Sequence, residues 1–280
     1  MTGARARVGI SGWTYAPWRS TFYPKGLAHK NELRYAAERM DSIELNGSFY
    51  ALQKPASYRR WAEETPEDFV FSIKGGRYVT HIRRLQNPTE ALSSFFASGL
   101  LTLGDKLGPL LWQLPPNLPF DRALVDSFFA ALPRTAMEAA ALGRTSTLDE
   151  GRTWTAVTTD RPLRHTIEVR NESFVDDAFT ELARSYGIAI VVADTAGRWP
   201  LLREVTTDFM YLRLHGDEEL YTSGYTPAAL DAWAHDIRGW VDGSACPDGV
   251  GRDVYVYFDN DTKVRAPVDA MALRERLAGA

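Results

Sequence analysis

The sequence predicts a (β/α)8 barrel of the TIM-like type, a single domain over residues 1–280, and three observations predict it. Eight short apolar runs recur along the chain, at 8–13, 42–50, 69–75, 107–114, 165–170, 188–195, 209–216 and 253–261. Each ends in polar residues on the parity that would face inward, which is unusual for buried strands. Helical segments alternate with the runs, as a parallel sheet covered by helices requires. The third observation counts against the runner-up, an open doubly wound sheet: SGWTYAPW follows the first run, where a dinucleotide-binding sheet carries a glycine-rich turn.

Composition bounds the class. With 280 residues, 45% of them apolar, the chain can bury a large core. A formal net charge of −4 gives no global basic field, so a nucleic-acid partner would need a local patch. Cys246 is the one cysteine, which excludes an intrachain disulfide framework. Residues 1–7 precede no apolar signal region, and no apolar run approaches the roughly 18 residues of a membrane span. A cytoplasmic protein with no membrane partner is expected.

Taken in order, the first strand ends at Ser11, Gly12 and Trp13 and runs into an aromatic loop with Tyr15, Trp18, Phe22 and Tyr23. These rings read as a hydrophobic lid, with a stacking wall for a planar ligand as the functional alternative. Asn31 precedes the helix ELRYAAERM. In the second strand, SIELNGSFY, period two puts Glu44, Asn46 and Ser48 on one face and Ile43 and Leu45 on the other. The helix SYRRWAEE is closed by Thr65 and Pro66, because the residue before proline avoids helical angles. Strand three, FVFSIKGG, carries Lys74 at its end; His81 lies in a loop beyond it, where catalytic groups often lie, and reads first as a solvated histidine. Asn87 and Pro88 predict a cap and first-turn proline for a helix through ALSSFFASGLLTL.

Strand four presents Gln113. Residues 115–164 then exceed the roughly thirty of an ordinary βα repeat and read as an insertion with a helix opened by Asp121 and a second through MEAAALG, holding little core of its own. Strand five, HTIEVR, puts Thr166, Glu168 and Arg170 on one parity. Strand six ends at Asp194, and strand seven puts Tyr211, Arg213 and His215 together. Thr226 and Pro227 open an amphipathic helix with Leu230, Trp233, Ile237 and Trp240 on its packed face. Strand eight ends in Asp259, Asn260 and Asp261, and parity leaves open which of them points inward. A last helix begins near Pro267.

In a barrel the carboxyl ends of all strands meet at one mouth. The catalytic candidates there are Glu44, Lys74, Glu168, Asp194 and His215; the substrate-binding candidates are Trp13, Tyr15, Asn46, Gln113, Arg170, Arg213 and Asn260. Three carboxylates face three cations, so a buried ion-pair layer is the purely architectural alternative.

The motifs GISGWTYAPW with FYP, SIELNGSFYALQKP, FVFSIKGGRYVTHIRRL, LGPLLWQLPP, IEVRNESF, YLRLHG and VYVYFDND resemble those of the family called domain of unknown function 72, the YecE-like proteins. The resemblance spans nearly the whole chain. It implies a TIM-barrel-like fold and no reaction. Where that family carries a histidine and a tryptophan after strand five, this chain has Asn171 and Phe174.

Three functions compete. The favoured one is acid/base chemistry of hydrolase or lyase type on a small anionic substrate, phosphate-bearing or nucleic-acid-like, with His215 and a carboxylate exchanging protons. In it Arg170 and Arg213 clamp the anion and Lys74 stabilises developing negative charge. The second is a hydrolase or isomerase that uses a divalent metal; interleaved cations and the absence of HxH or HExxH spacing count against it. The third is a non-catalytic module that binds a ligand or nucleic acid by stacking. No cofactor and no metal ligand are expected on the favoured reading.

Overall fold

The computed structural model describes residues 3–261 and 263–279. Met1 and Thr2, part of the 1–7 reading and of the predicted 1–280 domain, lie outside the described residues. The elements alternate in chain order: β1 (Ala6–Ser11), α1 (Glu32–Ala37), β2 (Ser42–Leu45), α2 (Gly47–Tyr50), α3 (Pro55–Glu63), β3 (Val70–Lys74), α4 (Thr89–Ala97) and β4 (Leu107–Gln113). There follow α5 (Arg122–Ala131), α6 (Ala136–Gly143), β5 (His165–Glu168), α7 (Asp177–Ser185), β6 (Ile188–Ile190), β7 (Val192–Asp194), β8 (Phe209–Leu214), α8 (Pro227–Asp242), β9 (Asp253–Phe258) and α9 (Arg265–Ala278). The nine strands belong to one sheet. Parallel strands alternating with helices make this a TIM-like α/β barrel fold. The chain divides into two compact units, Met1–Glu44 with Ala189–Ala280, and Leu45–Ile188.

The first unit orders its strands β2-β1-β9-β8-β7, with Ile10 opposite Ile43, Val8 opposite Val256 and Leu212 opposite Val256. Helix α8 buries Leu230, Trp233, Ile237 and Trp240, the face its spacing predicts, and Thr226 caps it by accepting from Ala229 N. Each such side chain contributes about 1.5–3 kcal/mol on burial. The aromatic loop after β1 packs as a ring cluster: Trp18 and Tyr23 are buried, Trp18 and Phe22 meet edge to face at 5.6 Å, and Phe22 meets Tyr35 at 5.4 Å. Trp13 and Tyr15 stay half-buried.

In the second unit β3, β4 and β5 pair in turn, with Ile73 opposite Leu110 and Gln113 opposite Glu168. Gly75 follows β3 because a Cβ there would collide with the Trp112 ring. The 115–164 segment carries more core than its alanine content suggests. Phe128 packs edge-on to Trp112 at 5.5 Å, and Ala139, Ala140 and Gly143 let α6 lie close on α4. Asp121 and Thr135 cap its two helices through Leu124 N and Glu138 N.

Several local expectations change. The run at 188–195 is two strands, so the described residues hold nine and not eight. The second strand ends at Leu45; Asn46 takes the N-cap position of α2, and strand parity does not apply to it or to Ser48. Helix α4 starts at Thr89, with Pro88 at its N-cap and Asn87 left-handed at φ 45°. It stops at Ala97 because Gly99, at φ 104°, turns the chain where any Cβ would strike Pro55. Helix α9 begins two residues before Pro267, after Val264 in a left-handed conformation.

His165 ties the second unit's interior together. Trp112 Nε1 can only donate, so His165 Nδ1 accepts from it at 3.1 Å, and Nε2–H is left to donate to the Pro133 carbonyl at 2.7 Å. Burial pushes the imidazole down to about 4, against the pull of that carbonyl. The unfolded chain therefore binds the extra proton between pH 6.5 and 4. Stability is full above about pH 6.5 and falls as pH drops toward 4, by up to about 3 kcal/mol from this group. His165→Gln should flatten that slope in urea titrations across the interval; an unchanged slope would remove His165 from the acid limb.

Candidate functional site

Glu44, next to last in β2, lies in the first unit and is completely buried. A carboxylate there needs every lone pair occupied. Oε1 accepts from Ser11 Oγ at 3.0 Å and from Arg213 Nη2 at 2.9 Å; Oε2 accepts from Tyr211 hydroxyl at 2.7 Å and from Arg213 Nε at 3.0 Å. The Arg213 contacts form a bidentate fork, the stronger geometry for a carboxylate. Parity delivers these partners: Tyr211, Arg213 and His215 alternate along β8 and its end, and Ser11 lies opposite Glu44 in register.

Arg213, also fully buried, spends Nη2 on Asp259 Oδ2 as well, at 2.7 Å. Its Nη1 lies 3.4 Å from His215 Nε2. Arginine only donates, so that nitrogen accepts; Nδ1 lies 3.1 Å from Asp259 Oδ2 without the alignment of a hydrogen bond. Asp259 is thus held by a guanidinium and an imidazole. Two residues on, half-buried Asp261 is pushed up to about 6, by burial first and by the charge of Asp259 second, while a Tyr15 hydrogen bond opposes. The Ser11 carbonyl, 2.5 Å from the Tyr15 hydroxyl, competes with Asp261 for its single hydrogen.

The remaining first-unit candidates sit apart from Glu44. Asp194 accepts from the Tyr225 hydroxyl at 3.0 Å, and burial raises its carboxyl. Asn260 turns toward α9: its Nδ2 donates to Asp269 Oδ2 and to the Ser223 carbonyl, both at 2.9 Å. Trp13 enters through its carbonyl, which accepts from the Tyr23 hydroxyl at 2.6 Å.

At the strand ends of the second unit, Lys74 is buried with Nζ 4.8 Å from the centre of the Phe49 ring. His81 meets the same ring edge-on at 5.0 Å, and its Nδ1 lies 2.9 Å from Thr80 Oγ1. It is half-buried, not the solvated loop group its position suggested. The imidazole is pushed down to about 4 by burial first, then by Arg170, Lys74 and Arg77, with Glu168 opposing. Glu168, fully buried, accepts from Arg170 Nε at 2.7 Å. Gln113 is buried opposite Glu168, and Asn46 stands at the head of α2. Tyr50, Tyr78 and Ile82 are exposed large side chains of the same loops.

Among the described residues no group of three His, Cys, Asp or Glu side chains is placed to hold a metal ion, and no helix is long and apolar enough to cross a membrane. A cavity of about 600 Å³ does exist in the first unit, but it opens at the start of β1, between Val8, Arg238, Met271 and Arg274, and no strand-end candidate lines it.

His81, Asp259 and Asp261 are the residues that sequence reasoning passed over. For the aspartates a signal existed. Strand eight read as ending in Asp259, Asn260 and Asp261, which put all three at the strand end; β9 stops at Phe258, so parity does not say which of them points inward. For His81 the signal was its place beyond a strand end; the π-helical turn Tyr78–Ile82 that aims it has no periodic signature.

The sequence model of the family described as protein of unknown function DUF72 matches residues 7–280. Among curated proteins the chain is similar to the UPF0759 protein YunF of Bacillus subtilis, 29% identical over 114 residues, which is 39% of either chain. It is also similar to the UPF0759 protein YecE of Escherichia coli K12, 26% identical over 127 residues, 45% of this chain and 44% of that one. These matches span less than half of either relative. A solved DUF72 family protein from Thermotoga maritima superposes with a TM-score of 0.74 at 22% identity, over 98% of this chain and 99% of that one. That likeness shows the fold.

Breaking the buried fork should be costly. Arg213→Met strands Glu44 and Asp259 and should destabilise the protein by about 3–5 kcal/mol in urea titrations. Pairing it with Glu44→Gln should recover part of the loss; strictly additive losses would show that the two side chains are not coupled.

Proposed function

The chain belongs to the DUF72 family of proteins of unknown function, and from the side chains at its strand ends we propose an enzyme of hydrolase or lyase type that works by acid/base chemistry on a small anionic substrate. The observation that carries this is the placement of His81, half-buried and edge-on to the Phe49 ring at 5.0 Å, the ring that Lys74 Nζ also approaches to 4.8 Å; burial first, then Arg170, Lys74 and Arg77, push its imidazole below the ordinary range. Those cations supply the attraction for an anion, and the neutral imidazole supplies a proton acceptor within the same group of side chains. Strand ends of barrel enzymes are where such groups are placed.

Each residue then has a role. Arg170, oriented by Glu168, takes the anionic group as a planar fork. Lys74, held against Phe49 and screened from water, stabilises negative charge that develops on the reacting oxygen. His81 accepts the proton, with Thr80 fixing its ring. On this reading Glu44 and Arg213 leave the list of groups that touch substrate, because both are buried and each is spent on the other.

A second reading rests on Asp261. A carboxyl raised to about 6 beside a charge-paired carboxylate is the usual arrangement of a general acid and its partner. Asp261 would donate the proton and Asp259, positioned by Arg213 and His215, would accept one.

A panel of phosphate and carboxylate esters with a chromogenic leaving group tests both. His81→Asn should lower kcat about 10²–10⁴-fold with little change in KM, while Arg170→Met should raise KM. Turnover that survives His81→Asn and is lost in Asp261→Asn would replace the first reading with the second.

A further inference from the structure

The cavity of about 600 Å³ in the first unit opens where β1 begins, at the carboxyl ends of α1, α8 and α9. That volume is within the range of ligand pockets, about 300–1,000 Å³. Its apolar walls are Val8 on the outward parity of β1, Val241 on α8, and Met271 and Leu277 on α9. Three arginines and three carboxylates also line it, so formal charge cancels there. Hydrogen bonding does not. Arg39 Nη1 pairs with Glu38 at 3.4 Å and Arg274 Nε with Asp41 at 2.9 Å, while Glu275 is exposed to water. Arg238 forms no ion pair among the described residues. One of its five N–H groups is spent, Nη2 on the Arg276 carbonyl, and its Nε is buried with no acceptor.

A buried donor without an acceptor is a standing penalty that an incoming acceptor removes. A carboxylate has the matching chemistry: its two oxygens fit a guanidinium fork, and its single charge answers the one arginine of the cavity that no carboxylate meets. A dianion would face Glu38, Asp41 and Glu275 with no second unmatched cation to hold it. An apolar chain behind the head covers the four aliphatic walls. We propose that this cavity binds an amphipathic monocarboxylate of the medium-chain fatty acid class, its head on Arg238 and its chain against Val8, Val241, Met271 and Leu277.

Barrel enzymes place their chemistry at the carboxyl ends of the strands. This cavity lies at the amino end of β1, so its occupant is a bound ligand and not a substrate. It also touches the entry to β2. Asp41 N donates to the Val8 carbonyl at 2.9 Å and Asp41 Oδ2 accepts from Val8 N at 3.2 Å, so filling the space beside Val8 and Asp41 braces the β1–β2 pairing. A ligand that binds only the folded chain stabilises it by mass action.

The test is an NMR titration of the intact protein, labelled at its methionine methyls, with butanoate, hexanoate and octanoate, and with octan-1-ol and octylammonium as controls for the head. The Met271 methyl, assigned with Met271→Leu, should shift with octanoate while that of Met137, exposed on α6 in the second unit, stays in place. Affinity should rise about fourfold for each added methylene. It should fall at least about tenfold when the carboxylate is exchanged for the alcohol. Arg238→Gln should bring octanoate down to the affinity of the alcohol, and Arg170→Met should leave the titration unchanged. Equal binding of octanoate and octylammonium would overturn the head group. Affinity independent of chain length would overturn the apolar body, and a Met271 methyl that does not move would overturn the site. These three outcomes are read on the unaltered sequence, so none depends on a variant folding.

Discussion

A carboxylate at the end of a central strand, sealed from water, constrains the whole first unit. Glu44 is tolerable there because Arg213 forks onto it and Ser11 and Tyr211 fill the remaining lone pairs. Those partners come from β1 and β8, so the register of three strands is set by one charge. A slip of one residue in any of them would turn its donor outward and leave an unpaired charge in the core. From Arg213 the constraint passes to Asp259 and His215.

The two units use charge differently. In the first, Arg213 binds two carboxylates at once, and Asp261 beyond them is pushed toward its protonated form. In the second, Lys74, Arg77 and Arg170 gather around one carboxylate and one imidazole, and the imidazole is pushed toward its neutral form. Both shifts come from burial first and like charge second. Acidic and basic excess each leave one group titrating away from its ordinary range, and an open strand end is where such groups can be used.

Much of the fold was legible because its signals are periodic. The parallel strands, the packed face of α8 and the capped helices of the 115–164 segment follow from spacing and from Asp121, Thr135 and Thr226 at their starts. The grouping of Tyr211, Arg213 and His215 was legible for the same reason. Where a strand gives way to a turn, periodicity stops informing. Asn46 and Ser48 read as strand residues and belong to the entry of a short helix, and the strand read at 188–195 is broken in the middle.

The sequence by itself determined the class of fold, the order of its elements, and that charged groups would lie at strand ends, because local propensity and alternation are properties of neighbours along the chain. Tertiary structure alone decided which charges are spent and which are poised. Arg213 and Arg170 look alike as arginines on the inward parity of a strand; one is fully buried between two carboxylates and the other, paired with Glu168, keeps part of its side chain exposed. His81 looked like a surface histidine until an edge-on phenylalanine and three cations were folded around it. Desolvation and Coulomb energy depend on distances between residues far apart in sequence, and those distances exist only once the chain is folded.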